Sequence, residues 1–198
     1  MSYPSTLDSH GMRNWATRAV GELAHRRDEI NALNVFPVPD SDTGSNMAHT
    51  MEAAVAELDN GGDVADSLAL GAVRGARGNS GMVLSQVLRG VAESTVDSVI
   101  DGDVFVRSLK QAVELVDRAI AEPVEGTVIT VLKAASESAE DAAAQSGATL
   151  HSIVSAAIAA AETALERTPS QLPALREAGV VDAGGAGLVI LLESLLAE

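Results

Sequence analysis

The feature that most constrains this chain is apolar spacing. Between Leu150 and Leu165, the residues Leu150, Ile153, Val154, Ala157, Ile158, Ala161, Ala164 and Leu165 keep an i, i+3, i+4, i+7 rhythm that only an amphipathic helix satisfies. The same period returns in Met12, Trp15, Ala16, Ala19 and Leu23, and again in Phe105, Leu109, Ala112, Val116 and Ile120. No stretch alternates as a strand would, so the pattern predicts an all-α chain. The expected helices run from about Asp8 to Arg27, Gly44 to Leu58, Val64 to Arg74, through Val83 to Val91, Asp101 to Ala121, Thr127 to Gln145, Leu150 to Pro169 and Leu188 to Ala197. A short turn of helix is expected at Pro173 to Glu177. About eight helices with short connections imply an antiparallel up-and-down bundle, and 198 residues suffice for one domain. Aromatic residues are only 2% of the chain, so Ala, Leu and Val must build the core through close helix approach.

One stretch departs from this rhythm: Asn34 to Met47, NVFPVPDSDTGSNM. Pro37 and Pro39 fix φ and keep the residues before them extended, giving a stiff arm that ends in Asp40 and Asp42. In an extended segment the two aspartates share one side, with Ser41 on the other, so the arm offers oxygen ligands for a hard cation. Thr43, Gly44, Ser45 and Asn46 then open a helix, whose first turn has free N–H groups and suits a phosphate. The plainer alternative makes Asp42 an N-cap and the arm an ordinary loop. A calcium loop counted from Asp40 is excluded, since its sixth position is Ser45 instead of Gly and its twelfth is Met51 instead of Glu.

Three further loops have unusual composition. Gly75 to Gly81 sets Arg77, Asn79 and Ser80 among glycines; PVEGTVIT sets Thr127 at a helix start; and VDAGGAG sets an exposed-looking Asp182 before small residues whose backbone could lie flat on a nucleoside. Each also reads as a turn or cap. No Walker-type loop, Rossmann fingerprint or kinase H-R-D set is present, the four histidines show no paired metal spacing, and no general base stands out. A formal net charge of −15 argues against nucleic acid as partner. The absence of cysteine, of a signal-peptide pattern and of a transmembrane segment points to the cytoplasm.

Taken together, NALNVFPVPDSDTGSNM, RGARGNSGMVLSQVLRG, PVEGTVITV and AGVVDAGGAGL resemble the ATP-binding domain of bacterial fatty acid kinase, itself related to the L subunit of dihydroxyacetone kinase. The matches recur in order over nearly the whole chain. The resemblance implies one domain over residues 1–198, an antiparallel barrel of eight helices with ATP or ADP and two Mg²⁺ at one mouth. By position, Asp40 and Asp42 correspond to acidic metal ligands, and Asn34 falls near a third Asp of the dihydroxyacetone kinase type. Thr43, Gly44, Ser45, Asn46, Asn79 and Ser80 correspond to phosphate-holding segments, Thr127 to a nucleotide-contacting one, and Asp182, Ala183 and Gly184 to a turn beside the nucleoside. The chain departs from the family arm at Ser41, where Gly is more frequent.

The resemblance further implies transfer of the γ-phosphate of ATP to a fatty acid held by a separate acyl-binding protein, giving an acyl phosphate for phospholipid metabolism, with further kinase domains as partners. Two other readings stand beside it: a kinase acting on dihydroxyacetone or another hydroxy compound, and a nucleotide-sensing module without turnover. The VFPVPD form of the arm weighs against the first of these.

Overall fold

The structure, a computed structural model, describes residues 4–196. Ten α-helices and one 3₁₀ turn occur among them, and the only β pairing among them is two isolated bridges, Leu7 with Ile100 and Val96 with Val99. Eight helices form a closed ring in which sequence neighbours are spatial neighbours: α1 (Ser9–His25), α3 (Thr43–Glu57), α4 (Val64–Gly75), α5 (Gly78–Ser94), α6 (Gly102–Ala119), α7 (Val128–Ala143), α8 (Leu150–Gln171) and α10 (Ala183–Leu196). The ring closes where α10 packs on α1, with the Trp15 Nε1–H donating to the Leu191 carbonyl at 3.1 Å. Two short helices, α2 (Arg27–Leu33) and α9 (Pro173–Ala178), sit at the loops. This is the all-α barrel expected; α9 falls on the helical turn expected at Pro173 to Glu177, and α2 alone was not marked.

The core is made as the composition requires. Ala16, Ala19, Ala54, Ala72, Ala112, Ala135, Ala139, Ala157 and Ala161 are fully buried, between leucines such as Leu23, Leu68, Leu84, Leu132 and Leu188. Helices α5 and α6 approach closely at Gly90, where a Cβ would stand 2.6 Å from the Ser108 carbonyl oxygen, so any side chain there would force them apart. One continuous apolar cluster includes residues from α1 through α10.

Three expected boundaries moved, each for a local reason. The first helix breaks at Arg26, whose φ of −95° and ψ of 10° let α2 start anew. Helix α8 runs through Pro169 to Gln171. Proline at 169 has no N–H to give the Leu165 carbonyl, but the Thr168 hydroxyl donates to that carbonyl at 2.7 Å, so the helix continues. Helix α10 begins at Ala183, five residues before Leu188, because Asp182 caps it. The expected end of that helix, Ala197, lies outside the described residues.

Candidate functional site

The arm is held at both ends by one side chain. Asn34, 5% exposed at the end of α2, donates from Nδ2 to the Val38 carbonyl at 2.8 Å. Its Oδ1 accepts from the Thr43 N–H at 3.0 Å and from the Thr43 hydroxyl. From the same helix, Asn31 accepts from the Ser45 N–H and donates to the Ser45 hydroxyl, both at 3.0 Å. The pairing is possible because residue 44 is glycine: a Cβ there would lie 2.3 Å from the Arg27 carbonyl oxygen. The first turn of α3 is therefore occupied. Of the N–H groups expected to be free for a phosphate, those of Thr43 and Ser45 bond to α2, leaving Gly44 without a side-chain partner.

Between these anchors the arm is not uniformly extended. Ser41 has φ of 55°, in the left-handed region, so simple alternation does not run from Asp40 to Asp42. The same torsion gives a physical reason for glycine in the related arms, since only glycine adopts it without cost. Asp40 and Asp42 are both exposed, and neither carboxylate makes a hydrogen bond or ion pair. Asp42 precedes α3 but does not cap it through its side chain.

Helix α5 shows the opposite arrangement. Its N-cap, Arg77, gives no side-chain capping bond, so the first turn at Gly78, Asn79 and Ser80 keeps its N–H groups without side-chain partners. Gly78, with φ of 63°, lets the loop close on α3: a Cβ there would meet Asn46 Nδ2 at 2.6 Å. Thr127 precedes α7, yet its hydroxyl donates back to the Val124 carbonyl at 2.7 Å instead of capping the helix.

Asp182 is buried, not exposed as its loop suggested, with 6% of its surface accessible. Its N–H donates to the Thr168 hydroxyl at 3.1 Å, and its Oδ2 accepts from the Gly185 N–H at 2.7 Å, a cap for α10. Burial pushes its pKa up to about 6 from an ordinary 3.8, while hydrogen bonds from the Gly185 and Val128 backbone pull the other way.

These loops converge. A cavity of about 350 Å³ is lined by Phe36 and Pro37 of the arm, Thr43, Asn79 and Ser80, Thr127, and Asp182 with Gly184. Its apolar wall comes from Phe36, Met82, Val83, Ile120 and Val128, and Glu122 stands at its edge. No Lys or Arg lines it. Six of the residues singled out by sequence thus face one space: Thr43, Asn79, Ser80, Thr127, Asp182 and Gly184. Gly44 and Ala183 are buried within their helices, Ser45 and Asn46 open to a separate pocket, and Asn34, Asp40 and Asp42 do not line the cavity. Glu122, Phe36 and Met82 escaped the sequence reading; the motif-flanking positions of Phe36 and Met82 were the available signal.

Among the described residues, no group of three or more His, Cys, Asp and Glu side chains is placed to hold a metal ion. The two unpartnered carboxylates of the arm, Asp40 and Asp42, are exposed hard oxygen donors.

The DAK2 domain family profile matches residues 37–197. The chain belongs to the DAK2 domain family. This DAK2 domain is 38% identical to protein YloV of Bacillus subtilis over 98% of its length, and 36% identical to a Staphylococcus saprophyticus protein over 97%. In each case it spans 36% of the relative, so it corresponds to about a third of these longer proteins. Its fold is similar to that of the dihydroxyacetone kinase from C. freundii in complex with AMP-PNP and Mg²⁺, with a TM-score of 0.65 at 21% identity, covering 94% of this chain and 33% of that one. The native form of that kinase gives 0.67 at 20% identity, covering 93% and 33%. The DAK2 domain thus shares the all-α fold of part of that kinase. Among its described residues, no helix is long and apolar enough to cross a membrane.

Proposed function

We propose that this DAK2 domain, as one unit over residues 1–198, binds Mg·ATP and supplies the γ-phosphate to a fatty acid held by a separate acyl-binding protein. The observation that carries the reading is the cation-free cavity where four loops meet, flanked by an arm with two unpartnered carboxylates. With no Lys or Arg in the lining, triphosphate charge must be neutralised by metal, which Asp40 and Asp42 are suited to hold, with Asn34 bracing the arm behind them. Two Mg²⁺ fit the implied family arrangement. The metal supplies charge neutralisation and alignment of the phosphates.

The chain's own residues do the rest. The uncapped first turn of α5, at Asn79 and Ser80, offers N–H groups and the positive end of the helix dipole to phosphate oxygens. The wall of Phe36, Met82, Val83 and Ile120 suits the adenine face, and the Thr127 and Asp182 segments border the nucleoside. Glu122 is the exposed carboxylate at the edge.

Acyl specificity is expected to rest outside this chain: the apolar pocket between Trp15, Phe105, Leu109, Val154 and Leu191 holds only about 30 Å³, too small for an acyl chain. The isolated chain is therefore expected to bind Mg·ATP, to hydrolyse it slowly at most, and to phosphorylate no free fatty acid, because an acceptor not held in line loses orders of magnitude in rate. The likeness in fold to dihydroxyacetone kinase keeps a small hydroxy acceptor as the second reading. The test incubates the chain with labelled ATP and either oleate or dihydroxyacetone, with and without an acyl-binding protein and further domains from a full-length relative. Acyl phosphate appearing only in the complete mixture supports the fatty acid reading. Label on dihydroxyacetone supports the second. ATP bound without transfer in any arm leaves only a nucleotide-sensing role.

A further inference from the structure

Behind the nucleotide cavity lies a second pocket of about 280 Å³, lined by Arg27, Ser45, Asn46, His49, Glu52 and Arg77. Its two arginines come from distant parts of the chain, and the packing of two glycines brings them to it. Gly44 lets α2 press its Arg27 backbone onto α3, and Gly78 lets the Arg77 loop close over Asn46. Arg77 gives no capping bond, and it makes no ion pair with any other described residue. Arg27 contacts only its exposed chain neighbour Asp28, at 3.2 Å, a contact worth little in water. Glu52 lines the same pocket, and no ion pair joins it to either arginine. On a chain with net charge −15, two arginines without a firm carboxylate partner line one concave site.

We propose that this pocket is an oxyanion site, separate from the nucleotide cavity, that takes a carboxylate or phosphate group. The planar guanidinium fork matches two oxygens of either group, and the Asn46 amide and His49 ring add polar contacts of the right kind at the pocket wall. The site differs from the cavity in chemistry: it carries its own positive charge and needs no metal. It stands independently of the kinase reading, although the Arg77–Gly78 segment leads directly into Asn79 and Ser80.

The test titrates the chain with inorganic phosphate and, separately, with acetate, in excess chelator and without nucleotide, following arginine side-chain and His49 signals by nuclear magnetic resonance. Saturable binding is expected. Arg27→Gln and Arg77→Gln should each weaken it by about tenfold or more, as expected for lost charge-assisted bonds. Glu52→Gln should tighten it by removing a facing carboxylate, and Asp42→Asn should leave it unchanged. Arg27→Gln should also retain Mg·ATP binding, which separates failure here from failure of the nucleotide assignment. Preference for phosphate or for acetate identifies which group the site takes. Absence of saturable binding by both anions overturns the proposal, as does binding indifferent to both arginine substitutions or lost with Asp42→Asn.

Discussion

The arm and the start of α10 flank one mouth with aspartates in opposite states. Asp40 and Asp42 stand in water with no partner, on a segment braced from behind by Asn34. Asp182 is buried, caps its helix and holds Thr168 and Gly185 in place. The difference teaches that residue type does not assign role here. Exposed carboxylates keep their lone pairs unspent, at little cost to the fold. The buried one spends its lone pairs on backbone N–H groups, and its ionisation is opposed by burial.

The sharpest way to break the comparison is to remove each carboxylate separately. Asp40→Ala or Asp42→Ala is expected to weaken Mg·ATP binding by more than roughly a hundredfold, beyond the usual cost of losing an outer-shell partner. Stability should stay within about 0.5 kcal/mol, as at other exposed sites. Calorimetry with and without chelator, beside thermal melts, reads both. Tight ATP binding in excess chelator would sink the metal-bridged site, and loss of helical circular dichroism in either variant would make the arm a structural element.

At Asp182 the expectation reverses. Its folded pKa of about 6 exceeds the ordinary 3.8, so the folded state binds this proton more tightly than the unfolded chain does. The contribution of this group to stability therefore falls as pH rises from about 4 to about 6, by at most about 3 kcal/mol, and is flat above. Asp182→Asn keeps an oxygen for the cap and removes the charge, so it should raise stability at pH 7 and flatten that interval in denaturant melts. An unchanged pH slope would place the titration elsewhere.

Smaller effects refine the picture. Replacing Asp182 by Ala instead of Asn should cost about 1 kcal/mol of cap at pH 7, measured as the difference between the two variants. Ser41→Gly, at φ of 55°, should relieve left-handed strain partly offset by glycine entropy. The net gain of about 0.5–1 kcal/mol corresponds to a rise in Tm of roughly 1–4 °C. A fall in Tm would mean that the serine side chain stabilises the turn.

Apolar spacing made most of the ring helices legible, because each of these buries one face against two neighbours. It missed α2, where only Ile30 of seven residues is buried, so no stripe exists to see. It ended α8 too early because the rule that proline stops a helix assumes an orphaned carbonyl, and Thr168 satisfies that one locally. It began α10 too late because Ala183 to Gly187 reads as loop, whereas α10 is buried around its whole circumference and those glycines admit Val131 and Met47. Within the site, residue types pointed to the segments that converge, but not to which helix start keeps its N–H groups free: the first turn of α3 is taken up by side-chain bonds from Asn31 and Asn34, which no spacing rule encodes.

The small apolar pocket of the barrel bears on how the molecule responds to compression. Pressure unfolds proteins largely by eliminating internal voids, and the volume change scales with them. With about 30 Å³ of free space in the apolar pocket between Trp15, Phe105 and Leu191, that end of the barrel has little volume to surrender.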